Sequence, residues 1–260
     1  MLDFNEDKPI IGVVHLLPLP GSPGFESLEP ILTRALSDAK SLIDGGVDGL
    51  IIENYGDRPF MKRVSKMTVS SFSMVCAKIE EMCDLPMGIN VLRNDWESAL
   101  SMAKSLGSSF VRVNVYIGCC ITPEGIMEGE AGNIMRFRKK HDIDASIFAD
   151  IQVKHADVHY PKDMVTAAVE ASERGMVDAL IVSGKRTGKP VDLEDLEKAK
   201  YSVDVPVLVG SGIDDKNVKE VLNHSDGAIV GTYFKEDGVT SNPVSEERVK
   251  HLLKEIERYR

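Results

Sequence analysis

Val207-Leu208-Val209-Gly210-Ser211-Gly212-Ile213 and, further on, Ala228-Ile229-Val230-Gly231-Thr232 decide how this chain is read. Each is a short apolar run rich in β-branched residues that ends in glycine and a small hydroxyl residue, and a charged helical segment separates the two. In a (β/α)8 barrel the loops after the seventh and eighth strands lie side by side, and their backbone N–H groups often hold a phosphate. Glycine suits such corners because a Cβ would keep an anion away from the main chain. The pair predicts a barrel whose ligand carries a phosphate or a comparable anion. Gly210, Ser211, Gly212, Gly231 and Thr232 are then its binding residues.

Outward from these corners, apolar runs alternate with helical patterns along the chain. Strands are expected at Ile10–His15, Gly49–Glu53, Met87–Leu92, Phe110–Val115, Ala145–Ile151, Ala179–Ser183, Val207–Gly210 and Ala228–Gly231. Helices are expected at Pro30–Ile43, Ser70–Met82, Trp96–Leu106, Asn133–His141, Lys162–Arg174, Leu193–Tyr201, Asp215–Asn223 and Ser245–Arg258. Eight of each is the barrel count, and 260 residues is the length of one such domain, for which about 250 is typical. The fold class is therefore α/β: a single TIM barrel of the phosphate-binding type, spanning 1–260. Several helix-to-strand turns share one form, in which a glycine stops the helix and a carboxylate precedes the next strand: Gly45-Gly46-Val47-Asp48-Gly49, Arg174-Gly175-Met176-Val177-Asp178 and Ser225-Asp226-Gly227. A doubly wound open sheet is the alternative, and it lacks a Gly-x-Gly-x-x-Gly turn after the first strand.

Polar residues gather where the strands end. His15, Glu53 and Asn90 close or occupy the first three strands. Arg112 and Asn114 alternate on the fourth, as do Asp150, Gln152 and Lys154 on the fifth, so each set shares a side. Ser183 ends the sixth. Two carboxylates at one barrel mouth suit general acid/base chemistry, so Glu53 and Asp150 are expected to transfer protons. His15 is the alternative acid, and Asn90 the orienting amide. Arg112, Asn114, Lys154 and Ser183 are expected to contact substrate, Arg112 being equally able to serve as an internal counter-ion. The turn Ser183-Gly184-Lys185-Arg186-Thr187-Gly188-Lys189-Pro190 adds Gly184 and Thr187 as anion contacts, although it lacks the residue order of a nucleotide-binding phosphate loop. The long segments Leu16–Glu29, Asn54–Val69 and Tyr116–Gly132 are expected to emerge around the mouth as loops.

Lys and Arg total 31 against 41 Asp and Glu, a formal net charge of −10. That balance argues against nucleic-acid partners and against adhesion to an anionic membrane. No apolar run reaches the ~18 residues of a membrane span, and the acidic N-terminus has no signal core, so a cytoplasmic protein is expected. Cys76, Cys83, Cys119 and Cys120 show no zinc-ligand spacing. No cofactor is expected. His155, Asp157 and His159 alternate and offer a divalent-metal reading without a placed third ligand; Lys154 offers a Schiff-base reading that needs a desolvated amine. A homo-oligomer is left open.

Three motifs resemble the BtpA/SgcQ family: Gly12-Val13-Val14-His15-Leu16-Leu17-Pro18-Leu19-Pro20-Gly21-Ser22-Pro23, then Glu53-Asn54-Tyr55-Gly56-Asp57 with Pro59-Phe60, then Thr187-Gly188-Lys189-Pro190-Val191-Asp192. The likeness runs over almost the whole chain; Lys185-Arg186 makes the sixth loop more cationic than the family pattern. The resemblance implies a phosphate-binding (β/α)8 barrel and assigns no catalytic residue. It implies, loosely, sugar-related or isomerase-like activity in some members and photosystem I biogenesis in others. With the glycine corners and the carboxylate pair, the expected function is an enzyme on a phosphorylated sugar or nucleoside-type metabolite, an isomerase or one that cleaves a glycosidic bond; the alternative is a non-catalytic assembly factor for a membrane complex such as photosystem I.

Overall fold

The computed structural model describes residue 4 and residues 7–151, 157–161, 163–184 and 190–257. In chain order its elements are β1 (Ile10–His15), α1 (Leu28–Gly45), β2 (Gly49–Glu53), α2 (Lys66–Glu80), β3 (Met87–Asn90), α3 (Trp96–Leu106), β4 (Phe110–Val113), β5 (Cys119–Thr122), β6 (Gly125–Glu128) and α4 (Ala131–Lys140). There follow β7 (Ser146–Ile151), β8 (Asp157–Tyr160), α5 (Met164–Val169, continued as a π-helical turn to Arg174), β9 (Ala179–Val182), α6 (Leu193–Ser202), β10 (Val207–Val209), α7 (Val218–Asn223), β11 (Ala228–Val230) and α8 (Glu246–Ile256). Eight strands close into a barrel in the order β1-β11-β10-β9-β7-β4-β3-β2, every neighbouring pair parallel. The closed ring rules out the open doubly wound sheet.

Side chains alternate along each strand, and the two faces build two cores. Ile11, Val13, Ile51, Phe110, Phe148, Ala179, Ile181, Leu208 and Ile229 fill the barrel interior. Phe110 stacks on Phe148 at 4.5 Å between centroids, and Phe4 meets Phe110 edge-on from below at 6.5 Å. Gly88 leaves the room for this plug, since a Cβ there would lie 2.1 Å from the Phe110 ring. The opposite faces, with Val14, Ile52, Ile89, Val111, Ile147 and Leu180 among them, pack under the helices. A packed lower half has a direct consequence for the upper half. Two residues beyond the plug on each strand stand His15, Glu53, Asn90, Arg112, Asp150, Ser183, Gly210 and Gly231.

The recurrent carboxylate before a strand has a structural task. Asp48, Asp178 and Asp226 each accept the N–H of the first or second residue of the neighbouring strand, from Ile10 (2.7 Å), Ile147 (2.7 Å) and Val207 (2.8 Å). These bonds satisfy amides that the ladder leaves open at the bottom of the ring and fix its register.

One expectation fails. Tyr116–Gly132 is not an irregular loop: β5 and β6 form a hairpin, and β8 joins β5 to make a three-stranded antiparallel sheet in the order β6-β5-β8. Four-residue strands show no readable alternation. The readable signal was the turn Thr122-Pro123-Glu124-Gly125, with proline at its second position and Gly125 at φ 98°.

Candidate functional site

Strand register alone sets the first row of the site. His15 pairs with Glu53, and Glu53 with Asn90, so the ends of β1, β2 and β3 present three polar groups side by side. Arg112 rises from β4 between the carboxylates of Glu53 and Asp150. Its Nε and Nη2 grip Asp150 bidentately at 2.8 and 2.9 Å, and its Nη1 reaches Glu53 Oε1 at 3.1 Å. All three residues are buried. Burial by itself would pull the Arg112 guanidinium down, yet the charges and hydrogen bonds of Asp150 and Glu53 outweigh it and push the group above its ordinary value.

The two carboxylates are treated unequally. Asp150 accepts two bonds from Arg112, one from Asn114 Nδ2 (2.8 Å) and one from Ser183 Oγ (3.2 Å). Glu53 concentrates its bonds on one oxygen: Oε1 accepts from Arg112 and from Asn90 Nδ2 (3.0 Å). Its other oxygen, Oε2, faces His15 Nε2 at 3.7 Å. The carboxylates also fix the two amides, because an ionised carboxylate only accepts and so must meet Nδ2. That leaves Asn90 Oδ1 and Asn114 Oδ1 as buried acceptors with no partner among the described residues.

Above this floor lies a cavity of about 560 Å³, lined by the floor residues and by Gly210–Asp214 and Gly231–Tyr233. The two glycine corners are neighbours at the same end of the ring, since β10 pairs with β11 through Val209 and Ala228. Their amides are not all available. Gly210 N–H donates to Val182 O at 2.8 Å, and Gly184 N–H to Ser211 Oγ at 2.9 Å. Gly210 is required for packing: a Cβ there would lie 2.5 Å from Ile181 Cγ2, 2.7 Å from Ser183 Oγ and 3.3 Å from Arg112 Nη2. This corrects the expectation that the amides of Gly210 and Gly184 face an anion. Gly212 takes φ 69°, and its carbonyl accepts from Asn217 Nδ2 at 2.7 Å, which turns the Ile213 N–H the opposite way across a trans peptide.

The wall on the β2 and β3 side supplies residues that the sequence reading passed over: Tyr55, Arg58, Phe60, Leu92 and Arg93. Tyr55 packs on His15 with centroids 4.6 Å apart, and the Arg58 guanidinium lies 4.2 Å over the Tyr55 ring. Buried Asn54 holds this wall together by bonding Leu92 N–H (2.7 Å) and Asp57 (2.9 Å). Asp57 in turn accepts Leu19 N–H at 2.7 Å, so Asn54 and Asp57 together tie three loops. Burial pushes Asp57 above its ordinary value, against the downward pull of those hydrogen bonds. The motif Glu53-Asn54-Tyr55-Gly56-Asp57 thus carries one floor residue, one wall residue and the joints behind them. Gly56 is glycine because a Cβ would lie 2.5 Å from Pro18 N of the first loop.

Against known proteins, the BtpA family model matches residues 6–258. The chain belongs to the BtpA family. It is 45% identical to an uncharacterised protein of Archaeoglobus fulgidus over 252 residues, covering 95% of this chain and 98% of that one. It is 40% identical to the photosystem I biogenesis protein BtpA of Synechocystis sp. over 253 residues, covering 96% and 88% respectively. Among solved structures, phosphoribosyl anthranilate isomerase from Thermus thermophilus superposes with a TM-score of 0.60 at 15% identity, over 97% of this chain and 100% of that chain. That likeness speaks for the fold.

For this BtpA-family chain, then, the floor unites His15, Glu53, Asn90, Arg112, Asn114, Asp150 and Ser183. Ser211, Gly212, Gly231 and Thr232 line the same cavity. Lys154, Gln152, Lys185, Arg186, Thr187, Lys189 and His155 lie outside the described residues, as does the Asp157 side chain, so the Schiff-base reading and most of the metal reading fall outside them too. His159 is exposed on β8. Among the described residues no group of three or more His, Cys, Asp or Glu side chains is placed to hold a metal ion. No described helix is long and apolar enough to cross a membrane.

Proposed function

We propose that this protein is an enzyme acting on a small phosphorylated metabolite of sugar or nucleoside type, by isomerisation or by cleavage of a glycosidic bond. One observation carries the reading: beside two adjacent glycine corners the floor offers Glu53 Oε2 next to His15, and the buried acceptors Asn90 Oδ1 and Asn114 Oδ1 have no partner among the described residues. A buried acceptor left open costs about 1–3 kcal/mol, and ligand hydroxyls are the donors that relieve it. The cavity volume falls within the range of small-molecule sites, about 300–1,000 Å³.

In this reading the phosphate rests on main-chain N–H groups around Gly212–Ile213 and Gly231–Thr232, with Ser211 shaping the first corner. Glu53 is the proton-transfer group. Arg112 and Asn90 hold its Oε1 and leave Oε2 to take a proton from substrate, while His15 across from it returns one. Asp150 keeps Arg112 charged and placed, and acts on the reaction through it. Asn90 and Asn114 orient hydroxyls over the floor.

The test begins with thermal-shift screening of phosphorylated sugars, nucleosides and nucleotides. A ligand at a hundredfold its Kd stabilises by about 2.7 kcal/mol. With a turnover assay in hand, Glu53→Gln, measured on protein shown to be folded by circular dichroism, should lower kcat by about 10²–10⁴-fold; full activity in that variant would end the proposal. The name of the Synechocystis relative favours a second reading, a scaffold for assembly of a membrane complex. Under that reading Glu53→Gln leaves function in the cell intact and no phosphorylated compound shifts the melting curve.

A further inference from the structure

Among the described residues the arginines are nearly all matched. Every other described arginine reaches a carboxylate or carbonyl oxygen of the protein: Arg34, Arg138 and Arg174 within helix-bearing ion pairs, Arg63 on Glu130, Arg112 on Asp150, with Arg93, Arg136 and Arg248 likewise engaged. Arg58 is the exception among the described residues. It lines the cavity, and its guanidinium is held by stacking on Tyr55, which itself packs on His15. Stacking fixes the plane of the guanidinium and leaves its in-plane N–H donors unoccupied. In a chain with ten more acidic than basic residues, the lack of a carboxylate neighbour is informative.

Topology says where this cation stands relative to the glycine corners. In the strand order β1-β11-β10-β9-β7-β4-β3-β2, β3 is four strands from β10 in either direction, so their loops face each other across the mouth. Arg93 follows β3 and also lines the cavity; Arg58 follows the adjacent β2. Arg93 is ion-paired with Glu124, its Nε lying 3.8 Å from Oε2. The Arg93 loop thus stands opposite the Gly210–Gly212 corner, and the Arg58 loop one strand nearer to it around the ring. Between them and that corner lies the acceptor-rich floor.

We infer that the substrate carries a second anionic group, a phosphate or a carboxylate, which Arg58 binds from the wall on the β2 side, three strands from β10 and two from β11 around the ring. The inference rests on the proposed phosphate site and adds the other end of the ligand. It makes the substrate a doubly anionic, hydroxylated metabolite: one anion meets main-chain N–H groups, the hydroxyls meet Asn90 and Asn114, and the second anion meets a forked cation suited to bidentate binding.

The experiment compares full-length wild type with Arg58→Gln by thermal shift and calorimetry. The probes are inorganic phosphate, fructose 6-phosphate against fructose 1,6-bisphosphate, and ribose 5-phosphate against ribulose 1,5-bisphosphate. In wild type a bisphosphate should bind at least about tenfold tighter than its monophosphate, the smallest gain expected of a charge-assisted bidentate pair. Arg58→Gln should abolish that gain while leaving monophosphate affinity within about twofold, and Arg58→Lys should restore part of it. The Arg58 side chain is exposed and makes no hydrogen bond to the described residues, so the unliganded melting temperature of the variant serves as its folding control. If monophosphates bind and the second group adds nothing, or if the gain survives Arg58→Gln, this inference is overturned and the phosphate site stands. If no phosphate-bearing probe binds, both are overturned.

Discussion

Asp150→Asn separates a counter-ion from a proton carrier, and the structure sets the size of the effect. The Asp150 carboxylate accepts four described hydrogen bonds, at 2.8, 2.9, 2.8 and 3.2 Å, two of them from the buried guanidinium of Arg112. An amide of the same shape has one acceptor oxygen and an NH2 group, so it keeps at most the bonds on one side. On the other side it sets donor against donor. Arg112 then keeps its charge in a site about nine-tenths covered, with one bond to the amide oxygen and Glu53 Oε1 as its remaining described carboxylate partner at 3.1 Å. Removing one partner of a buried ion pair costs about 3–5 kcal/mol. For a chain of this size each kcal/mol lowers Tm by about 2–4 °C, which gives a drop of about 6–20 °C. Urea denaturation followed by circular dichroism measures the loss directly, and Ser183→Ala, which removes only the 3.2 Å bond, should lose about 1 kcal/mol. A loss below about 1 kcal/mol in Asp150→Asn would refute the counter-ion argument. Should that variant remain stable while turnover vanishes, Asp150 becomes the proton carrier and Glu53 its partner.

Two further perturbations test the surroundings of the site. Lys235 is fully buried and pairs with Asp38 at 2.8 Å, which also accepts Val244 N–H; Asp38→Asn should cost about 3–5 kcal/mol, whereas the double change Asp38→Leu with Lys235→Met should recover most of it in the same denaturation assay. Asp57 sits above its ordinary value of 3.8 through burial, so its contribution to stability is whole below that value and is lost as pH rises through the raised one. Asp57→Asn should therefore gain on wild type as pH rises from 3.8 upward, and a difference that stays constant with pH in matched urea titrations would count against it.

The barrel was legible because its signals repeat. Eight apolar runs, each followed by a helical pattern, leave few topologies, and the inward set falls at every second residue: Val13 then His15, Ile51 then Glu53, Phe110 then Arg112, Phe148 then Asp150. The same alternation made the floor legible, since a polar residue two places beyond a buried one must enter the same interior. The wall was not, and the reason is physical. Tyr55, Arg58 and Arg93 belong to loops whose course depends on contacts far along the chain, such as Asn54 with Leu92 and Asp57 with Leu19. No periodicity encodes those contacts.

The glycine corners show a subtler limit. Gly210 and Gly212 look alike in sequence, and both end a β-branched run. A glycine can be demanded by an approaching ligand, by a backbone angle or by a neighbouring side chain, and these three demands leave the same letter. At Gly210 the demand comes from Ile181, Ser183 and Arg112, and its amide closes onto β9. At Gly212 it comes from a φ of 69°, which lets the carbonyl turn to Asn217. The first glycine therefore serves the ion cluster under the cavity, and the second shapes the main chain that faces it. Substituting either would impair ligand binding, but by different routes: through Arg112 and stability in one case, through the course of the corner itself in the other. An anion site inferred from glycines alone thus overcounts its donors, and only the fate of each N–H decides which of them can still meet a ligand.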